Sequence, residues 1–267
     1  MTLSHILERN AAFQPDKDAI RSARGAIAYG AFADRIRALA HGLKTRLGIG
    51  RGDRIAVLAL NHPDTLASLY AAARLGAMLV PLNWRLAPAE LAFILADCAA
   101  KALVTEAAFA GALPDMLAAR PDCRTVFLDS TPIAGAMPFE ELVAAGGDGS
   151  NPHIDLRTPL LVGYTSGTTG RPKGAVLLQE ALAWNAVHSV HMHDMTAADH
   201  ILTVLPMFHV GGLNIQTTPA LQTGATVTLH DRFHPAATLS AIARDRPTLT
   251  VLVPATMQAL LAEPGFA

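Results

Sequence analysis

Eleven consecutive residues concentrate the groups that can handle a polyphosphate. Tyr164-Thr165-Ser166-Gly167-Thr168-Thr169-Gly170-Arg171-Pro172-Lys173-Gly174 carries four Ser/Thr hydroxyls, three glycines and a lysine beside a proline. Glycines let backbone N–H groups approach an anion closely, hydroxyls donate to phosphate oxygens or ligate Mg²⁺, and Lys173 adds a mobile positive charge. From Leu156 to Gln179 there is no carboxylate, while Arg157, Arg171 and Lys173 are positive, so nothing within the segment repels an anion. A flexible Ser/Thr/Gly surface loop would share this composition. The order argues against it, because the hydroxyls precede the lysine and Pro172-Lys173-Gly174 leads straight into an apolar run. A Walker A loop fails on spacing: Gly167 is followed five residues later by Pro172, and Lys173 by Gly174 where Ser or Thr is required. The segment also enters a predicted strand, whereas a Walker A loop opens a helix.

Two histidine groups invite chemistry as well. His209 lies in Leu205-Pro206-Met207-Phe208-His209-Val210-Gly211-Gly212-Leu213. A histidine in an apolar run is more often a satisfied core residue than a catalyst, and His209 is not read as a general base. His188 and His191 share a helix face, but His193 lies about 200° from His191 at about 100° per residue, so the three cannot converge on one ion from one regular helix. They read as a solvated helix end, with Asp194, Asp199 and His200 in the loop after it. Cys98 and Cys123 form no CxxC pair. With an N-terminus that lacks a secretory pattern, they read as reduced, buried thiols of a cytoplasmic protein.

The elements that must position these groups alternate. Residues 31–47 space Phe32, Ile36, Leu39, Ala40, Leu43 and Leu47 as a helix that Gly48 ends. Buried strands are expected at 54–60, 77–82 and 102–105, with helices starting near Pro63 and Pro88, and a small hairpin at 18–29. Further on, strands are expected at 160–164, 175–178, 201–205, 225–229 and 249–253, with helices near 180–192, 212–222, 235–244 and 255–262. Apolar strands alternating with amphipathic helices predict an α/β fold of layered parallel sheets flanked by helices. The polar segment 146–152 is the expected boundary between a first α/β subdomain, 1–150, and a second, 151–267, that carries the phosphate-binding loop.

Composition removes other classes. Lys+Arg 21 against Asp+Glu 22 leaves a net charge of −1, with no basic footprint for nucleic acid. Charged residues are 16% of the chain against about 25% in typical domains, so a large core is expected and disorder is not. No membrane span is expected, because the longest uncharged stretch, 201–230, is interrupted by Pro206, His209, Gly211, Gly212, Asn214, Gln216, Pro219 and Gln222.

Residues 164–174 resemble the phosphate-binding signature of the acyl-adenylate-forming enzymes, which include the AMP-dependent acyl-CoA synthetases. Residues 205–213 resemble the family's next motif, and Val80-Pro81-Leu82-Asn83-Trp84-Arg85-Leu86 extends the similarity. The resemblance implies the N-terminal domain of the adenylate-forming fold, incomplete here. It also implies a two-step reaction in which a carboxylic acid, fatty or aromatic, attacks ATP to give acyl-AMP and pyrophosphate, and coenzyme A then displaces AMP. Thr165 would be the Mg²⁺ ligand, and Thr165, Ser166, Gly167, Thr168, Thr169, Gly170 and Lys173 would hold the phosphates. Phe208, His209, Gly211 and Gly212 would wall the acyl pocket, the glycines leaving space beside His209.

The family runs to about twice this length. The later Mg²⁺-completing glutamate, the ribose-holding aspartate and the mobile C-terminal domain with its lysine are absent from these residues, so the chain is expected to be a truncated form without a complete catalytic set, inactive alone. The expected partner is a small-molecule carboxylic acid, a homo-oligomer is left open, and no nucleic acid is expected. A non-catalytic nucleotide-binding or interaction fragment is the alternative, followed by a kinase or ATPase that would release ADP.

Overall fold

The computed structural model describes residues 2–129, 135–151, 153–166 and 171–266. In chain order the first elements are α1 (Leu3–Phe13), β1 (Asp18–Ser22), β2 (Gly25–Ala28), α2 (Tyr29–Leu47), β3 (Arg54–Leu58), α3 (Pro63–Leu75), β4 (Met78–Pro81), α4 (Pro88–Asp97) and β5 (Ala102–Thr105). A 3₁₀ turn (Ala107–Ala112) leads to α5 (Leu113–Ala119), β6 (Arg124–Phe127), β7 (Met137–Pro138) and α6 (Phe139–Val143). Then come β8 (Pro159–Thr165), β9 (Lys173–Leu178), α7 (Gln179–His193), β10 (His200–Thr203), α8 (Val210–Asn214) and α9 (Thr217–Thr223). The last are β11 (Thr226–Leu229), α10 (Pro235–Asp245), β12 (Leu249–Thr250) and α11 (Pro254–Leu261).

The chain divides into two compact units that interleave in sequence. The first takes Met1–His5, Ala33–Ala59 and Asp64–Leu182, and the second Ile6–Phe32, Leu60–Pro63 and Ala183–Ala267. Residues 146–151 lie inside the first unit. Their glycines serve close packing: a Cβ at Gly149 would come within 2.3 Å of the His41 backbone nitrogen, and Gly147 abuts the His41 ring with φ +91°.

The first unit holds a seven-stranded sheet in the order β7-β6-β5-β3-β4-β8-β9. All its pairs are parallel except β8 with β9, at one edge. The central strands read as continuous apolar runs because helices cover both faces, and Ile55, Ala56, Leu79, Val80, Leu103 and Val104 are buried. Pro63 and Pro88 occupy first helical positions, where a missing N–H costs nothing, and Gly48 and Gly76 adopt positive φ after α2 and α3.

The second unit holds a five-stranded sheet in the order β12-β10-β11-β1-β2, parallel except for the edge hairpin β1–β2. The helix expected over 212–222 is two helices, α8 and α9. Pro219 can sit only in a first turn, so the helix stops and restarts at Thr217, with Gln216 out of helical geometry at φ −130°. The layered parallel α/β architecture with flanking helices is present, with antiparallel pairs confined to sheet edges. Among the described residues no helix is long and apolar enough to cross a membrane.

Candidate functional site

The β8–β9 hairpin of the first unit carries the phosphate-loop segment. β8 starts in the core, with Leu160, Leu161 and Val162 buried, and emerges so that Thr165 and Ser166 are exposed. The strand register places Thr165 opposite Lys173 and Tyr164 opposite Gly174. Directly opposed residues of an antiparallel pair project to one face, so the Thr165 and Lys173 side chains leave the same face of the hairpin beside its connecting loop. Arg171 is exposed beside them. Gly167, Thr168, Thr169 and Gly170 lie outside the described residues.

The glycine after the lysine has a geometric cause. A Cβ on Gly174 would meet Val162 Cγ1 at 2.9 Å and Tyr164 Cζ at 3.1 Å, because the Tyr164 ring lies over that position. The Tyr164 hydroxyl donates to Asp97 Oδ2 at the end of α4, 2.5 Å away, and burial followed by this bond raises the phenol's pKa. Arg54 fastens the same helix end by donating to the carbonyls of Cys98 (2.5 Å) and Ala99 (3.1 Å). The hairpin is thus carboxylate-free along the chain but not in space, since Asp97 approaches from 67 residues away with its oxygen engaged by Tyr164.

In the second unit, β10 leads into residues 204–209, which a buried asparagine shapes. Asn61 is only 2% exposed and donates its amide to the carbonyls of Leu205 (2.9 Å) and His230 (3.0 Å). Its Oδ1 accepts from the Met207 backbone N–H at 2.8 Å. All three bonds cross more than 140 residues, so nothing local in the sequence marks Asn61.

His209 caps α8: its Nδ1 accepts the Gly211 backbone N–H at 2.9 Å. In the neutral ring the proton therefore sits on Nε2, leaving the exposed imidazole with a donor to offer. That agrees with a positioning role and not with a general base. The two glycines differ. A Cβ at Gly212 would lie 2.2 Å from the Pro206 carbonyl oxygen, so Gly212 is dictated by packing and leaves no space, whereas a Cβ at Gly211 would meet only the His209 ring, at 3.1 Å, and a side-chain tip at 3.9 Å. Beneath them lies a cavity of about 10 Å³, the size of one water, lined by Gly211, Gly212, Gln216 and Thr217. Gln216 is 5% exposed and its Oε1 has no hydrogen-bond partner among the described residues. No motif announced it, because its meaning depends on burial.

His193 Nδ1 is bonded within α7 to the Ser189 carbonyl at 2.8 Å, and the His188 ring lies 6.2 Å from that of Trp184. Among the described residues no three His, Cys, Asp or Glu side chains converge as metal ligands. Cys98 and Cys123 are free and buried, and burial raises their thiol pKa values to about 11 and about 12.

Comparison with known proteins gives a consistent result. The AMP-binding enzyme family matches residues 7–267. An indoleacetate–CoA ligase of Aromatoleum aromaticum is 47% identical over all of this chain and 52% of its own length. A feruloyl-CoA synthase of Amycolatopsis is 36% identical over 97% of this chain and 50% of its own. The crystal structure of the anthranilate CoA ligase AuaEII, in complex with anthranoyl-AMP, superposes with a TM-score of 0.94 at 23% identity, covering 100% of this chain and 52% of that one. That last likeness is one of fold. The chain spans about half the length of the curated relatives it matches.

Proposed function

Because the chain belongs to the AMP-binding enzyme family, we propose that it serves the ATP-dependent activation of a small carboxylic acid. In the first step a carboxylate oxygen bonds to the α-phosphorus of ATP and the bond to the β-phosphate bridging oxygen breaks, releasing pyrophosphate and leaving acyl-AMP. In the second, the thiol of coenzyme A attacks the acyl carbon and AMP departs. The observation that carries this reading is the pairing of Thr165 with Lys173 at the loop end of the β8–β9 hairpin. A lysine there offsets charge that develops on the leaving pyrophosphate, an electrostatic contribution made where the transition state needs it. Ser166, Gly167, Thr168, Thr169 and Gly170 complete the phosphate cradle in this proposal. A single hydroxyl, that of Thr165, fits Mg²⁺, an ion that keeps several waters and phosphate oxygens and takes few protein ligands. When bound, Mg²⁺ would neutralise phosphate charge.

Phe208, His209 and Gly211 border the acid in this proposal, with His209 Nε2–H as a hydrogen-bond donor, while Gly212 shapes the turn behind them. Indoleacetate and ferulate, which name two of the relatives, are aromatic, and this favours an aryl acid over a fatty acid. These 267 residues carry the phosphate and acyl-wall segments, and for them ATP–Mg²⁺ binding without turnover is the proposed behaviour. Titration calorimetry with ATP–Mg²⁺ and pyrophosphate exchange with indole-3-acetate, ferulate and palmitate test it. Binding without exchange is expected. Robust exchange would overturn the inactivity, and the absence of nucleotide binding would overturn the site.

A further inference from the structure

The second unit contains a cavity that no residue of the phosphate-loop or acyl-wall segments lines. Arg21 of β1 is in register with Thr228 of β11, and Thr228 with Leu202 of β10, so the three share one face of the five-stranded sheet. On that face α10 covers the β10 side, where Ala241 packs against Leu202 and Val204. Past the edge of α10, over β1 and β11, a cavity of about 530 Å³ remains, whose lining includes Arg21, Thr228, His230, Arg232 and Arg244.

Its chemistry favours an anion. The two carboxylates of the lining are already committed: Asp245 takes Nε and Nη2 of Arg244, both at 2.7 Å, and Asp231 takes Arg24 at 2.9 Å. Arg21 pairs outside the cavity through its Nε with Asp18, at 2.7 Å. A guanidinium has five N–H donors, so these pairings leave several free on Arg21 and Arg244. Arg232 is exposed and has no ion-pair partner among the described residues. Burial, then the charge of Arg244, lowers the His230 pKa, so at neutral pH this imidazole is an uncharged hydrogen-bonding group. The volume falls within the roughly 300–1,000 Å³ of small-molecule sites, far larger than an inorganic ion needs. Ala23, Leu229 and Ala237 supply apolar lining for the rest of such a molecule.

We propose that this cavity binds a phosphate-bearing organic anion of about nucleotide size, its phosphate held by Arg232 with Arg21 and Arg244. The chemistry is shared by two sources, the nucleotide end of coenzyme A and a free sugar phosphate. The site stands independently of the adenylation proposal, since no phosphate-loop residue contributes to it.

Titration calorimetry of the 267-residue chain with adenosine 3′,5′-bisphosphate and, separately, ribose 5-phosphate distinguishes these. Saturable binding of at least one probe is expected, weakened at least tenfold by Arg232→Glu, largely restored by Arg232→Lys, and unchanged by Lys173→Gln. Preference for the bisphosphate supports a nucleotide, and equal binding supports a sugar phosphate. Arg232 is exposed, so its variants should fold, and thermal melting verifies this. No saturable binding, or binding lost in Lys173→Gln and kept in Arg232→Glu, would overturn the proposal. ATP–Mg²⁺ binding that does not respond to Lys173→Gln, alongside probe binding that depends on Arg232, would put the fault in the adenylation proposal alone.

Discussion

Lys173 is exposed at the start of β9, so removing its charge takes nothing from the core. Lys173→Gln should weaken ATP–Mg²⁺ binding at least tenfold, about 1.4 kcal/mol, while leaving the melting temperature within about a degree. Calorimetry and thermal denaturation on the same samples check both halves. Asn61 predicts the reverse pattern. Asn61→Ala orphans two carbonyls and one N–H in a buried turn, a loss of about 2–4 kcal/mol that urea denaturation would read. Residues of the first kind are legible in a sequence, because hydroxyls, glycines and a lysine in fixed order state their chemistry locally. Asn61, Gln216 and Asp97 are not, because what they do depends on groups distant in the chain or on burial.

At the scale of elements, apolar runs bounded by proline and glycine located most strands and helices of the two sheets. Elements with little periodicity escaped: β6 and β7 have four and two residues, and α6 has five. The Leu3, Leu7 and Ala11 stripe of α1 was also unread, a narrow signal diluted by Glu8, Arg9 and Asn10. The turn after β10 separates two glycines that look alike in sequence. Gly212→Ala would force a Cβ to 2.2 Å from a carbonyl oxygen, and the backbone has to move, at about 1–3 kcal/mol. Gly211→Ala meets chiefly the His209 ring, at 3.1 Å, and should cost less than about 1 kcal/mol. Chemical denaturation of the two variants should rank them in that order. Equal midpoints would mean that the 205–213 turn rearranges freely.

For the molecule as a whole, linear reading fails where the chain interleaves. The glycine-rich stretch 146–149 resembles a linker in composition yet packs within the first unit, and segments before residue 64 belong to both units. The architecture was legible because most helices and strands announce their own period, while membership in a unit is decided by contacts. One global property follows from burial in the first unit. Cys98 and Cys123 hold their protons up to about 11 and about 12, whereas unfolded thiols ionise near 8.5. Burial also raises the Tyr70 phenol above its usual value. Between the unfolded and folded pKa values the native state binds more protons than the unfolded state, so stability is fully present below pH ~8.5 and falls as pH rises. Each thiol contributes a slope approaching about 1.4 kcal/mol per pH unit over that window. Urea midpoints followed by fluorescence under reducing conditions should therefore decline from pH 8.5 to 11. The Cys98→Ala/Cys123→Ala double variant, less stable at pH 7 through lost packing, should show a distinctly flatter decline over the same range. An equal slope in the two proteins would mean that the thiols are accessible to hydroxide in the native state.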